Sequence, residues 1–253
     1  MTPTTPARQR WRRAVLLVSF IAFPVTMNYF SPYLSVEGAF TGVLTGSLAM
    51  FGTMFLGSLF FGRLWCGWVC PMAGLQEFAI PVNGQPAHRR ARLVKWLIWV
   101  PWFAAIVFGA LSVGGFRVTD LLHGTQGGIS VAGSATRPIF IAYIMYFGVV
   151  ALFLGVAVAA GRRAGCHSIC WMAPFMIAGR WIRDRFGWPS LRLVADADTC
   201  RECGKCTAAC PMGLDVEGLV HAPSMENAEC VLCGMCVDTC PHRSVRYSFS
   251  SGK

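Results

Sequence analysis

Charge is scarce in this chain. Of its 253 residues, only 13% are Asp, Glu, Lys or Arg, about half the share found in an average soluble domain. With 55% hydrophobic residues and a mean hydropathy of +0.51, that deficit excludes an ordinary water-soluble globule and points to a polytopic membrane protein. Catalytic signatures are missing too. There is no G-x-S-x-G, P-loop or H-E-x-x-H sequence and no C-x-x-C-H haem attachment, so hydrolysis, group transfer and c-type haem find no support. Histidine is sparse and falls outside the long apolar runs, which argues against a b-type haem held by two spans. Cysteine is what stands in excess: twelve residues.

Four runs lack every Asp, Glu, Lys and Arg: residues 14–36, 38–62, 96–116 and 138–161. Each exceeds the ~20 residues that a helix needs to cross the hydrocarbon core. Basic residues set the expected orientation. Arg8, Arg10, Arg12 and Arg13 precede the first run; Arg63, Arg89, Arg90, Arg92 and Lys95 follow the second; Arg162, Arg163, Arg180, Arg183, Arg185 and Arg192 follow the fourth. The opposite side has Arg117 and Arg137. The positive-inside rule then places both termini in the cytoplasm of a bacterial inner membrane. Arg12-Arg13 also resembles a twin-arginine signal, but no A-x-A site follows. The net charge of +10 therefore reads as topology, not as a nucleic-acid surface. Membrane lipid is the expected surrounding.

Composition changes near Leu193. Between Asp196 and Cys240 stand eight acids and two bases, a net of −6. The expected division is residues 1–192 in the membrane and 193–253 in a cytoplasmic domain. That domain reads C-x2-C-x2-C-x3-C-P at Cys200, Cys203, Cys206 and Cys210, and again at Cys230, Cys233, Cys236 and Cys240. This is the bacterial two-cluster ferredoxin pattern, in which the fourth cysteine ligates the other cluster. Cluster A is expected on Cys200, Cys203, Cys206 and Cys240. Cluster B is expected on Cys230, Cys233, Cys236 and Cys210. Zinc sites lack this spacing and the following proline. The acidic face could dock on the basic side of its own membrane domain or on a basic partner.

The other four cysteines form a repeat. Arg63-Leu-Trp-Cys66-Gly-Trp-Val-Cys70-Pro-Met72-Ala73 aligns with Arg163-Ala-Gly-Cys166-His-Ser-Ile-Cys170-Trp-Met172-Ala173, offset by 100 residues. Two runs and one motif make a unit, and two units imply halves related by an approximate two-fold axis. On a helix, residues i and i+4 share a face, so the two pairs could offer four thiolates to one Fe–S cluster or metal. Two separate centres, free buried thiols and redox-active thiols stay open. Arg63 and Arg163 read first as anchors, or else as compensators of thiolate charge. Trp65, Trp68 and Trp171 read as interfacial aromatics, Met72 and Met172 as packing, and His167 as a ligand or proton carrier in second place.

Together, the four runs, the Trp65-Cys66-Gly67-Trp68-Val69-Cys70-Pro71 sequence, its partner at Cys166 and Cys170 and the double ferredoxin resemble the NapH/MauN family of membrane polyferredoxins. The membrane core of NosR is similar. The second motif departs by placing Trp171 where that family often has proline. The resemblance implies a quinol dehydrogenase component that passes electrons to a respiratory or periplasmic chain. NosR also carries a covalent flavin on a separate domain; here residues 133–136 only scramble the attachment sequence. The expected fold is a mainly α membrane protein of four transmembrane helices in two repeated halves, with a small α+β ferredoxin domain. Its expected cofactors are two [4Fe–4S] clusters, a third Fe–S or metal centre at the membrane face, and quinone. Quinol and other redox subunits of ferredoxin, flavoprotein or cytochrome type are its expected partners. A quinone could meet the Cys66/Cys166 face, or the outer loop with Arg117, Asp120, His123 and Arg137. Two rival readings remain: a cytoplasm-facing reductase for metal or cofactor maturation, and a redox sensor or anchor.

Overall fold

The computed structural model describes residues 6–88, 90–132 and 138–251; Arg89, Arg137 and the 133–136 stretch lie outside them. Two of the four apolar runs form single long helices, α7 (Ala91–Ser112) and α8 (Ile139–Ala160). At 1.5 Å per residue, 22 residues reach about 33 Å, enough to cross a bilayer core. Both expose apolar side chains along their length, among them Leu97, Phe108, Ile144 and Phe147, a surface suited to lipid.

The other two runs are interrupted, which corrects the expectation of four unbroken spans. The first begins as α1 (Ala7–Ile21) and bends by 58° into α2 (Phe23–Thr26) and a 3-10 turn, Met27–Phe30. Pro24 stands at the break; a proline removes a helix hydrogen bond and clashes with the preceding turn. Ser31 then caps α3 (Pro32–Thr41), its hydroxyl accepting from Leu34 N–H. Gly42 at φ +70° ends α3 in the left-handed region that glycine enters freely. The second run therefore crosses α3, the short β1 (Val43–Thr45) and α4 (Gly46–Phe61). With 16 residues, α4 reaches about 24 Å by itself. β1 pairs in parallel with β2 (Val118–Asp120) in the loop after α7.

Each half continues in the same way after its last apolar helix. The first gives α5 (Leu64–Trp68) and α6 (Pro71–Ala79), and the second α9 (Ala164–Ser168) and α10 (Ala173–Phe186). Packing between halves is reciprocal: α4 lies on α10, and α8 on α6. Beyond α10, β3 (Ser190–Ala195) pairs antiparallel with β4 (Val245–Ser250), Ser190 opposite Ser250 and Ala195 opposite Val245. The pair clasps both ends of the cysteine-rich segment, whose short helices are α11 (Lys205–Ala209), α12 (Val216–Val220) and α13 (Met235–Thr239). One continuous core runs from Leu16 and Phe51 through the motif cysteines to Val231 and Val245.

Candidate functional site

The two ferredoxin motifs fold alike. Gly204 and Gly234 take φ of +67° and +76°, each preceding a one-turn helix that carries the third cysteine. Two residues earlier, Glu202 and Leu232 are also left-handed, at +48° and +50°. Such winding turns successive N–H groups to one side and forms a concavity for an anionic group. The fourth cysteine of each motif follows in extended backbone and crosses to the other loop. Cys200, Cys203, Cys206 and Cys240 line one small cavity; Cys210, Cys230, Cys233 and Cys236 line another. Each cavity thus gathers three cysteines of one motif and the last cysteine of the other.

The donor set suits clusters better than a single ion. Zinc bonds each thiolate at about 2.3 Å, which draws the sulfurs tightly together. Among the described residues, no three Cys, His, Asp or Glu side chains are gathered to hold one metal ion. A cubane is wider and accepts the more open set. Burial pushes the Cys233 thiol up to about 12, the nearby Cys210 adding to it, so ionisation here needs a metal to replace the proton.

The membrane-side motifs repeat down to single hydrogen bonds. Cys66 N–H donates to the Arg63 carbonyl at 3.1 Å and Cys166 N–H to that of Arg163 at 2.9 Å. Cys70 and Cys170 N–H groups reach back to Trp65 and Gly165 carbonyls. Each pair therefore straddles the end of a short helix, where a continuous helix face was expected; Cys70 caps α6, and Cys170 stands two residues before Met172, the cap of α10. The thiols of Cys70 and Cys170 accept from Ala73 and Ala173 N–H at those helix starts. All four cysteines are buried, and Cys70 lies within electrostatic reach of the other three. Contacts cross between halves: Gln76 Nε2 donates to Cys166 Sγ at 3.2 Å, while Met176, its equivalent 100 residues on, meets Cys66 Sγ at 3.9 Å.

Arg63 and Arg163 are fully buried, which overturns their reading as solvated or lipid-headgroup anchors. Arg63 donates to Glu229 at 2.9 Å and Arg163 to Glu77 and the Cys66 carbonyl. Burial works against both charges, but Glu229 and Cys66 around Arg63, and Glu77 and Cys166 around Arg163, hold each guanidinium above its ordinary value. Arg63 Nε and Nη2 and Arg163 Nε have no hydrogen-bond partner although buried. Unsatisfied buried donors are costly, and an anionic group on the four thiols would satisfy them.

Ion pairs join the two regions. Glu229, next to Cys230, takes Arg63 and Lys95, and the Nδ1 of the buried His167 ring lies 3.4 Å from it. Glu226 takes Arg180, Arg183 and Arg192. Asp238 accepts from Arg8 Nε at 3.1 Å and Nη2 at 2.6 Å. The acidic face thus docks on its own chain. Trp68 Nε1 donates to the Leu232 carbonyl at 3.1 Å and Trp171 Nε1 to that of Phe30 at 2.8 Å, so both tie separate segments of the chain together. Met72 and Met172 are buried, as packing requires. Gly67, inside the first motif, lies so close to the cluster B loop that a methyl there would overlap the Val231 carbonyl.

Of the outer-loop candidates, Asp120 and His123 lie 3.4 Å apart, with Glu37 at 3.9 Å from the ring. They follow the far end of α7, whose near end holds Lys95 against Glu229, about 25 Å away by helix length. The sequence reading missed Gln76, Glu77 and Met176. Gln76 and Met176 extend the repeat alignment by three residues, and Glu77 is one of only four acids before Asp196; either was a usable signal.

Residues 192–241 match the family described as a 4Fe-4S dicluster domain, and residues 43–85 match a 4Fe-4S binding domain. The methylamine utilization ferredoxin-type protein MauN of Methylobacillus flagellatus is 25% identical over 191 residues, covering 71% of this chain and 60% of that protein. YccM of Escherichia coli, named for electron transport, is 24% identical over 221 residues, 83% of this chain and 57% of its own length. RdxA of Cereibacter sphaeroides is 27% identical over 227 residues, 78% and 44% respectively. The chain thus spans about half the length of these relatives. No solved structure matches it. The matched families bind 4Fe–4S clusters and these relatives are named as ferredoxin-type or electron-transport proteins, so the chain is similar to iron–sulfur electron-transfer proteins. More narrowly, it is similar to the MauN-type ferredoxins, at 25% identity.

Proposed function

We propose that this chain is an integral-membrane subunit that moves electrons between the quinol pool and partner redox proteins through three centres in a row. Cys66, Cys70, Cys166 and Cys170 hold the first, at the membrane face. Cys210, Cys230, Cys233 and Cys236 hold cluster B, and Cys200, Cys203, Cys206 and Cys240 hold cluster A, which meets the partner. One observation carries this reading: the four-thiol site, with its unsatisfied arginine donors, abuts the cluster B loop through Gly67, Trp68 and His167. When bound, the clusters supply one-electron carriers. The chain's own residues set their surroundings. Arg63 and Arg163 offset thiolate charge; Glu229 and Glu77 fix those arginines; and the packed Val231–Cys233 backbone keeps the centres close and dry.

Iron and sulfide counting with EPR, on wild type and on Cys66→Ser plus Cys166→Ser, tests the ligand assignment. A count above the about eight irons of two cubanes, lost only in the double variant, supports it; eight throughout removes the first centre. Reduction of the clusters by decylubiquinol tests the quinol link. Reduction by flavodoxin alone would favour the maturation reductase.

A further inference from the structure

A cavity of about 260 Å³ has no cysteine in its lining. Its floor is Pro71–Met72 and Trp171–Met172, the residues that directly follow Cys70 and Cys170. Equivalent positions of both halves thus meet at its base. One wall is the bent first run, with Phe23 and Phe30; Met145 and Val149 of α8 form the other. We propose that this cavity seats the ring of a quinone or quinol. The proposal rests on the quinol reading above and places the carrier between the two halves, away from the outer loop.

Three features favour a flat ring with oxygen substituents. The walls are aromatic and thioether side chains, which pack on π faces. Trp171 stands where the first half has Pro71, so the repeat breaks its symmetry by adding an indole to this floor; its Nε1–H is tied to the Phe30 carbonyl, which fixes the ring plane. Polar side chains are few, and Asn28, Ser31 and Tyr33 stand within six residues of one another. Asn28 gives its amide N–H to the Gly124 carbonyl at 2.6 Å, leaving Oδ1 to accept from a quinol hydroxyl. The Ser31 hydroxyl accepts from Leu34 N–H at 3.3 Å, leaving its own proton for a quinone carbonyl. A mostly apolar pocket with a few placed polar groups is the usual form of a small-molecule site. Tyr33 and Met145 on its lining are partly exposed, on the side where α8 presents apolar surface, so the entrance faces lipid.

The test uses the purified, cluster-loaded protein in nanodiscs, a photoreactive azidoquinone and decylubiquinone as competitor. The label is expected on peptides covering residues 23–33 or 145–149, and decylubiquinone is expected to displace it. Met145→Trp, a change at a partly exposed position, should weaken labelling roughly tenfold, equivalent to about 1.4 kcal/mol, with iron and sulfide content unchanged. Val149→Trp is the second variant. Labelling at wild-type strength in both, or label on the Arg117–His123 loop, overturns the cavity while the quinol reading stands. A phospholipid found there by native mass spectrometry and not displaced by decylubiquinone overturns it as well. If decylubiquinol neither binds wild type nor reduces its clusters, the quinol reading falls with it.

Discussion

The two ferredoxin sites share a motif, a loop winding and a fourth cysteine from the other motif, yet they sit in different worlds. At site A, Cys203 is exposed, Cys200 and Cys240 are half-buried, and Lys205, Glu217 and His242 line the cavity. At site B, Cys210, Cys233 and Cys236 are buried among Leu193, Met212, Leu214 and Val231, and the membrane-side motifs cover it. Identical ligation with unequal exposure is how proteins separate cluster potentials. Local sequence chooses what each site binds; packing chooses how each behaves. The arrangement suits B as an internal relay and A as the contact with a partner.

That contrast can be broken most forcefully at Glu229. Glu229→Ala strands Arg63 and Lys95 without a counter-ion; losing one partner of a buried pair costs about 3–5 kcal/mol. Denaturant unfolding in detergent should show the loss, and EPR should show cluster B depleted before cluster A. Next comes Gly67→Ala. Its methyl must displace the Val231 carbonyl, an overpacking cost of about 1–3 kcal/mol, and the EPR signal of B should shift while that of A stays. If both shift equally, the two sites are not separated as described. A membrane-impermeant iron chelator should strip A first, because Cys203 faces solvent; equal rates would erase the contrast in access.

A pH effect of smaller size is expected at Glu77. Burial would raise its carboxyl, but Arg163 and Arg12 outweigh burial and hold it below its ordinary value of 4.5. A lowered folded pKa contributes stability above the unfolded value, and that contribution disappears as pH falls through the folded one. Melting temperature should therefore drop below about pH 4.5, and Glu77→Gln should flatten that drop. The smallest effect belongs to Arg8→Ala. Its pair with Asp238 is partly exposed, so the loss should stay under about 1 kcal/mol, read as a slight fall in melting temperature with both clusters intact.

Much of the site was legible because iron ligation is a local matter. Cys200–Cys210 and Cys230–Cys240 carry their spacing within eleven residues each, and a tight loop leaves little choice. The R-x-x-C-x-x-x-C-x-M-A repeat was legible for the same reason. The helix breaks were legible in principle: Pro24, Pro32 and Gly42 interrupt the first two runs, but hydrophobicity and absence of charge do not register backbone stiffness. The roles of the arginines were not legible. Arg63 and Glu229 are 166 residues apart, and a basic residue beside an apolar run looks the same whether it faces headgroups or a buried carboxylate.

By itself, the sequence determined the cysteine sets, the doubled architecture and the apolar character of the chain, since each depends on short spacing or on composition. Only the tertiary structure decided that the acidic domain closes on its own basic base, that site B is buried while site A is open, and that the motif cysteines of both halves are buried within electrostatic reach of one another. Those outcomes depend on which distant surfaces meet. Burial then turns ordinary surface charges into paired, desolvated ones, an effect visible only once both partners are in place.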